Sequence, residues 1–302
     1  MTVTGEERAL IDGELRAARS GRTFQTINPA TEEVLGVAAD CDLADLDDAI
    51  GAARRAFDES SWSTDVAFRV RCLRQLRDAF HAHAEEIRAM TVAETGSPLM
   101  LTYSAQLDDP VNGLGWVADL AEGYEWERDL GRAEPLGMPA HRWVRREPTG
   151  VVGAITPWNV PHQINLAKVG PALAAGNTVV LKPAPDTPWA ATILGRLVAE
   201  ETDIPAGVLN VVTSRDHAVG AAIATDPRVD QVSFTGSTAT GRSVMRNAAD
   251  TLKKVFLELG GKSAFVVLDD ADLKGATGVA AFTVCTHAGQ GCAITTRLVV
   301  PR

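Results

Sequence analysis

The stretch QVSFTGSTATGRS, residues 231–243, runs from a short apolar segment through a glycine-containing turn into the start of a helix. A helix that starts directly after a strand exposes free main-chain N–H groups, and together with the helix dipole these attract phosphate. A triphosphate-binding loop would carry lysine at the position of Arg242. The stretch therefore leaves three interpretations open: a dinucleotide turn, a plain strand-to-helix turn, or a triphosphate loop that lacks its lysine.

Four short apolar runs predict the strands of one parallel sheet. They are VVGAI, TVVLK, VLNVV and QVSF, at residues 151–155, 178–182, 208–212 and 231–234. Between them, helical stretches begin near Pro161, Thr187, Asp216 and Ser237. Continuously apolar strands that alternate with helices are typical of a doubly wound, Rossmann-like α/β sheet, which binds ligands at the carboxyl ends of its strands.

The residues before and after this sheet predict further elements. Up to about residue 40, β-like runs alternate with turns. Helical spacing then predicts one helix over 43–57, one long helix from residue 66 that ends near Gly96, and a weaker helix to residue 124 that Pro110 and Gly113 interrupt. Residues 130–148 predict a hairpin, either a surface hairpin or a protruding oligomerisation arm. We expect a cofactor domain over 1–256, and the start of a second α/β domain over 257–302.

Composition excludes several classes of protein. The chain has 302 residues, with 29 Lys+Arg against 39 Asp+Glu and a formal net charge of −10, which argues against a nucleic-acid partner. No apolar run reaches the ~18 residues of a membrane helix, and the N-terminus is too acidic for a signal peptide. Four scattered cysteines predict neither a disulfide framework nor a metal site. We therefore expect reduced thiols in a cytoplasmic protein without a membrane partner.

Four residues at strand ends or in glycine-rich turns are candidates for chemistry. Cys292 follows two glycines in AGQGC, so it is either an exposed nucleophile or a small buried apolar residue. Glu258 ends an apolar run as a general base would, or is a solvent-facing acid. Asn159 could donate its amide to an oxyanion, and Lys182 could reach hydroxyl or phosphate groups.

Six motifs in this order resemble the NAD- or NADP-dependent aldehyde dehydrogenases. They are ITPWN, NTVVLKPA, GVLNVV, FTGS, LELGGK and GQGC, which begin at residues 155, 177, 207, 234, 257 and 289. The resemblance covers the whole chain and is looser before about residue 145. It implies an aldehyde dehydrogenase-like fold, NAD or NADP as cofactor and a small aldehyde as substrate. It also implies a homodimer or homotetramer for the full-length protein.

The resemblance also implies a role for each residue of the site. Cys292 would attack the aldehyde, Asn159 and the Cys292 N–H would hold the oxyanion, and Glu258 would activate the water that hydrolyses the thioester. Lys168 is either part of a proton path or a buried structural lysine. The cofactor would be contacted by Ile155, Thr156, Pro157, Trp158, Lys182, Ala184, Pro185, Phe234, Thr235, Gly236, Ser237, Leu259 and Gly260. FTGS would be the pyrophosphate turn, which selects the dinucleotide interpretation of the opening stretch.

Two departures limit these expectations. Pro185 stands where many NAD-preferring members carry a glutamate for the ribose hydroxyls, so NAD and NADP both remain open. Family members also continue well beyond the position of Arg302. We therefore expect this chain to be a fragment or a truncated product, to bind nucleotide weakly, to aggregate and to turn over little aldehyde. The aldehyde itself is not predicted: Trp116, Leu120 and Phe282 either line an apolar pocket or belong to the core.

Three other functions remain as alternatives. The chain could be a dinucleotide-binding remnant without turnover. It could instead be a thiol hydrolase or acyltransferase in which His287 serves as base to Cys292. A triphosphatase would require Mg²⁺-dependent ATP hydrolysis despite the missing lysine.

Overall fold

A computed structural model describes residues 3–302 of the chain. Its thirteen strands in this range are β1 (Ala9–Ile11), β2 (Glu14–Arg16), β3 (Thr23–Ile27), β4 (Val34–Ala39), β5 (Glu127–Ala133), β6 (Ala140–Arg145), β7 (Val151–Ile155), β8 (Thr178–Lys182), β9 (Leu209–Val211), β10 (Gln231–Gly236), β11 (Lys254–Leu259), β12 (Ala264–Val266) and β13 (Arg297–Val299).

Ten α-helices accompany these strands over the same residues. They are α1 (Leu43–Glu59), α2 (Val66–Ala82), α3 (Ala84–Thr95), α4 (Leu99–Thr102), α5 (Asp108–Glu122), α6 (Pro161–Ala174), α7 (Trp189–Glu201), α8 (His217–Thr225), α9 (Thr238–Ala248) and α10 (Leu273–Cys285). None of the helices described is long and apolar enough to cross a membrane.

A seven-stranded sheet in the order β11-β10-β7-β8-β9-β1-β2 organises the chain. The four predicted apolar runs form β7, β8, β9 and β10, which are parallel. The strand β11 joins them in parallel and was not predicted as part of this sheet, whereas β1 and β2 add an antiparallel edge. The sheet is therefore mixed rather than purely parallel. After β9 the chain returns to the other side of β7, so the strand order reverses between β7 and β10.

Alternate residues of the strands feed two apolar layers. Val152 of β7 and Val179 of β8 pack with α2, α5, α6 and α7, whereas Val151 and Val180 pack with α1, α8 and α9. This alternation follows from the two-residue period of a strand. Helices therefore cover both faces of the sheet, as in a doubly wound fold.

The helical region differs from the sequence prediction at two places. The helix predicted from residue 66 to Gly96 is two helices, because His83 leaves helical geometry between α2 and α3, with φ −104° and ψ 12°. Pro110 and Gly113 do not interrupt α5, since both lie inside it. Pro110 is tolerated because it occupies the first turn, where the N–H has no intrahelical acceptor. The predicted end at Gly96 is confirmed: this residue has φ 66°.

Three two-stranded sheets accompany the large one in residues 3–302, and the antiparallel pair β3–β4 is the first of them. The hairpin predicted over 130–148 is the antiparallel pair β5–β6, and β12 pairs with β13 in parallel. The boundary predicted at 256/257 falls within β11, which pairs with β10 through Leu259. The division into two domains remains a prediction, and residues 1 and 2 of the first lie outside the described range.

Candidate active site

The carboxyl ends of β7 and β10 meet where the strand order of the large sheet reverses. The chain leaves β7 at Thr156 and reaches the first residue of α9 through Ser237. Ligands of open α/β sheets bind in the crevice that such a reversal creates. The predicted TPWN and FTGS segments thus lie at neighbouring strand ends, as the sequence indicated.

A cavity of about 610 Å³ brings three predicted catalytic residues together. Cys292, Glu258 and Lys168 all line it, with Ser233 and Thr235 of β10. Glu258 reaches this cavity because of its register: it lies opposite Thr235 in the parallel β10–β11 pair. Leu257 and Leu259 alternate with it and pack against the apolar layer on the other face. Cys292 is exposed rather than buried, which removes the core interpretation of this residue.

Lys168 is held inside this cavity by a hydrogen bond and by burial. Its Nζ donates to Oγ of Ser233 at 2.9 Å, and its side chain is only 7% exposed. Burial lowers the pKa of Lys168 to about 8, and the charge of Glu258 partly counteracts this shift. An amine with this pKa exchanges protons readily near neutral pH.

Asn159 is joined to the segment before Cys292. Its Nδ2 donates to the main-chain oxygen of Gln290 at 2.6 Å. Its own main-chain oxygen accepts from Nε2 of Gln106 at 3.0 Å and lies 2.7 Å from Nε2 of His287. The amide and the thiol are thus carried by segments that are bonded to each other.

The turn after β10 combines a packed glycine with a capped helix. Gly236 ends the strand, and Oγ of Ser237 accepts from the N–H of Thr240 at 3.1 Å. A Cβ at Gly241 would lie 2.7 Å from the side chain of Leu259, so a larger residue there would displace that side chain. The first residues of α9 are exposed, so their free N–H groups are open to an anion.

A second cavity, of about 540 Å³, lies at the same edge of the sheet. Trp158 and Pro185, both predicted cofactor contacts, line it with Arg215 and Gln290. Near these strand ends, the hydroxyls of three threonines are buried without a hydrogen-bond partner in residues 3–302: Thr156, Thr187 and Thr235. Unpaired buried hydroxyls are costly, and ligand groups can satisfy them. The residues present therefore fit a polar, phosphate-bearing ligand such as a dinucleotide.

The other predicted cofactor residues differ in how accessible they are. Lys182 is 5% exposed, and its Nζ donates to the main-chain oxygens of Pro183 and Ser214 at 3.0 and 3.2 Å. Burial lowers the pKa of Lys182 to about 8. The ring of Phe234 lies in the core. The remaining members are partly or fully exposed at the sheet edge: Ile155, Pro157, Ala184, Leu259 and Gly260.

Sequence reasoning missed several residues at this edge. The carboxylate of Glu94 accepts from the N–H groups of Trp189 and Ala190 at 2.7 and 3.1 Å and so caps α7 from outside. Gln106 and Arg215 were not predicted either. Gln106 does not belong to any motif. Arg215 follows a predicted strand closely, and ligands bind at the carboxyl ends of such strands, so the sequence could have indicated it.

The three apolar residues considered for a substrate pocket are not part of the core. Trp116, Leu120 and Phe282 are 67%, 48% and 75% exposed. Trp116 lines a cavity of about 290 Å³ between α5 and α6. Leu120 lies one helical turn further along α5.

Comparison with known proteins places this geometry in a family. The family model described as the aldehyde dehydrogenase family matches residues 16–302. The mitochondrial aldehyde dehydrogenase of Leishmania tarentolae is 41% identical over 296 residues, which are 98% of this chain and 58% of that protein. Aminoacetaldehyde dehydrogenase of Pseudomonas aeruginosa is 40% identical over 297 residues, which are 97% of this chain and 59% of that protein.

Solved structures agree with the family model. The NAD⁺ complex of aldehyde dehydrogenase from Bacillus cereus superposes with a TM-score of 0.92 at 36% identity, covering 100% of this chain and 60% of that one. Betaine aldehyde dehydrogenase from Staphylococcus aureus, also with NAD⁺, gives 0.93 at 33% identity, covering 99% and 58%. The chain thus spans about three fifths of the length of these relatives. Over that span, it belongs to the aldehyde dehydrogenase family.

Proposed function

We propose that this chain carries the cofactor cleft and the nucleophile of an enzyme that oxidises an aldehyde to a carboxylic acid with NAD⁺ or NADP⁺. One observation carries the proposal: Cys292, Glu258 and Lys168 line one cavity, which lies between α6 and the face of β7, β10 and β11. Asn159 is hydrogen-bonded to the segment that precedes Cys292. A nucleophile, a base and an oxyanion donor are the groups that acyl chemistry requires.

The first step uses the exposed thiol. The Sγ of Cys292, as thiolate, attacks the aldehyde carbon, a C–S bond forms, and the carbonyl oxygen takes the negative charge. Asn159 has two N–H groups on its amide and gives one to Gln290, so the other can donate to this oxygen together with the Cys292 N–H. Removing one such donor from an oxyanion hole typically costs about 10²–10³-fold in rate.

The second step converts the thiohemiacetal to a thioester. A nicotinamide bound in the cleft would accept the hydride that the thiohemiacetal carbon releases as its C=O bond re-forms. The residues proposed to hold the dinucleotide are the predicted contacts of the β7, β8 and β10 strand ends. The unpaired hydroxyls of Thr156, Thr187 and Thr235 support this choice.

Hydrolysis then releases the acid. Glu258 takes a proton from water, the resulting hydroxide attacks the thioester carbon, and Cys292 leaves as the thiolate. Lys168 lies in the same cavity, and its lowered pKa allows it to pass protons between Glu258 and solvent.

The hydrolase alternative receives less support from the geometry. His287 would need a free ring nitrogen directed at Cys292. Its Nε2 is occupied by the main-chain oxygen of Asn159 at 2.7 Å and by Nε2 of Gln106 at 3.1 Å, and its Nδ1 is buried, so neither ring nitrogen is free to take the proton of Cys292. A different observation supports the alternative of a dinucleotide-binding remnant without turnover. The helix α10, which comes just before the Cys292 segment, has no buried residue that would anchor it.

We further propose a cytoplasmic homo-oligomer. The hairpin β5–β6 exposes Leu136, Met138 and Trp143, which are 97%, 63% and 54% accessible. Apolar residues on a protruding hairpin are suited to a subunit contact. The four cysteines are free, as expected of a reducing compartment.

The test is an aldehyde panel with each nucleotide, applied to the longest polypeptide that the reading frame encodes. We expect saturable, aldehyde-dependent NADH or NADPH formation, and complete loss in Cys292→Ala. Turnover that persists in Cys292→Ala at the unaltered rate would overturn the proposal.

A further inference from the structure

The segment between α10 and Cys292 contains a run of left-handed residues. His287, Ala288 and Gly289 have φ of 51°, 53° and 79°. A residue with a Cβ is disfavoured in this region, and two of the three residues have one. Contacts elsewhere must therefore hold the run in place.

The imidazole of His287 supplies one such contact. The ring is only 7% exposed, and its Nε2 lies 2.7 Å from the main-chain oxygen of Asn159. This contact is a hydrogen bond in the tautomer that carries the hydrogen on Nε2, because a carbonyl oxygen only accepts. The same Nε2 lies 3.1 Å from Nε2 of Gln106. Gln106, which is 1% exposed, donates to the same oxygen at 3.0 Å.

The side chain of Asn159 binds Gln290, the residue that follows this run. Its Nδ2 donates to the oxygen of Gln290 at 2.6 Å. A rotation of the amide by half a turn would bring its oxygen against the oxygen of Gln290, so this bond fixes which of the two amide atoms is turned toward Gln290. The main chain of Asn159 thus contacts His287, and its side chain bonds Gln290, so the two residues together form a ring of contacts. Cys292 follows Gln290 by two residues.

We infer that His287 is a positioning residue for the oxidation proposed above, on which this inference rests. By bonding the main chain of Asn159, it sets the direction of the second amide N–H relative to Sγ of Cys292. Gln106 is the second donor that keeps this main-chain oxygen in place. A displacement of about 1 Å at such a site can cost ~10²-fold in rate.

Two reactions of Cys292 distinguish a role of His287 in positioning the Asn159 amide from a general contribution of His287 to folding. Acylation by p-nitrophenyl acetate develops an oxyanion and needs the Asn159 amide. Alkylation by iodoacetamide develops none and needs only an accessible thiolate. Both probes act without nucleotide, and a Cys285→Ser background leaves Cys292 as the one exposed cysteine in residues 3–302.

The variants are His287→Leu, which removes the donor, and His287→Gln, whose Nε2 can reach the same oxygen. His162→Leu is the matched control, since His162 is also buried, at 1% exposure, and bonds Thr91 instead. We expect His287→Leu to slow acylation about 10²-fold, with alkylation within about threefold, and His287→Gln to recover most of the loss. His162→Leu should leave the ratio of the two rates unchanged.

A double variant tests whether the effect passes through Asn159. In an Asn159→Ala background, His287→Leu should slow acylation by less than about threefold, because the amide that it positions is gone. If His287→Leu does not fold, Gln106→Leu tests the same ring of contacts, with a smaller loss of about tenfold expected.

Equal losses in both reactions, no rescue by His287→Gln, or full additivity with Asn159→Ala would overturn the inference. The proposed function fails on a separate observation, aldehyde-dependent nucleotide reduction that survives Cys292→Ala. A negative result for His287 therefore leaves the role of Cys292 intact.

Discussion

The ammonium group of Lys168 is buried against the hydroxyl of Ser233, at an Nζ–Oγ distance of 2.9 Å. Burial lowers the pKa of Lys168 from 10.5 to about 8. The unfolded chain therefore binds a proton more tightly than the folded one. The resulting destabilisation is complete below pH 8 and is relieved as pH rises from about 8 to 10.5.

We predict that Lys168→Met stabilises the fold at neutral pH. The pKa shift is worth at most about 3 kcal/mol, and loss of the Ser233 bond offsets about 1 kcal/mol of that. The expected gain is about 1–2 kcal/mol at pH 7, vanishing near pH 10.5. Urea unfolding at both pH values measures it, with the exposed Lys254→Met as control. A gain that does not depend on pH would contradict the assignment.

The reactivity of the four thiols should depend on whether each is buried or exposed. Cys41 and Cys72 are 1% and 0% exposed, and burial raises the pKa of each to about 12. We predict that iodoacetamide at pH 8 labels Cys285 and Cys292 in the native chain, and all four only after unfolding. Peptide mass spectrometry gives the pattern. Rapid native labelling of Cys72 would show that α2 opens far more readily than its packing indicates.

Sequence patterns predicted the regular parts of this fold for a physical reason. The strands β7, β8 and β10 are apolar on both faces and are followed by helix starts, so local residues alone define the parallel sheet. Glu258 and Cys292 were predicted as site residues because a strand end and a glycine-rich turn mark them, and both line the same cavity. The break at His83 was missed because the apolar stripe continues across it.

Contacts between distant segments lay beyond sequence reasoning. Gln106 bonds Asn159 across 53 positions, and Glu94 caps α7 across 95. Neither residue lies in a periodic pattern or in a motif that would indicate its partner. Such bonds become visible only when the fold has brought the segments together.

The choice between NAD and NADP should depend on two residues of the second cavity. Pro185 supplies no carboxylate to repel a 2′-phosphate, and Arg215 in the same cavity offers a cation. We predict that Pro185→Glu weakens NADP⁺ binding about tenfold or more with little effect on NAD⁺, and that Arg215→Ala weakens NADP⁺ binding alone. Tryptophan fluorescence titration can follow this, because Trp158 lines the cavity. If the two substitutions changed the affinities for NAD⁺ and NADP⁺ equally, the 2′ position of the ribose would not lie near Pro185 and Arg215.

Glu258→Gln should separate hydride transfer from hydrolysis. The amide keeps the size of the side chain and leaves Cys292 able to form the thioester, but it cannot take a proton from water. We therefore expect a burst of about one NADH or NADPH per site, followed by turnover slowed about 10²-fold or more. Stopped-flow absorbance measures both phases. Unaltered steady-state turnover would remove Glu258 from the mechanism.

The helix α10 and the β12–β13 pair expose an apolar surface. Phe282 and Leu298 are 75% and 58% exposed, and an apolar cavity of about 330 Å³ separates the helix from the two strands. Exposed apolar strands pair with other chains, and α10, which leads into the Cys292 segment, has no buried residue to anchor it. We expect residues 1–302 expressed alone to bind the dye ANS, to aggregate, and to oxidise aldehyde at least about tenfold more slowly than the longest polypeptide of the reading frame. Phe282→Ser with Leu298→Ser should reduce aggregation without restoring turnover. Soluble material of residues 1–302 with turnover within tenfold of that of the longest polypeptide of the reading frame would show that the exposed surface does not limit turnover.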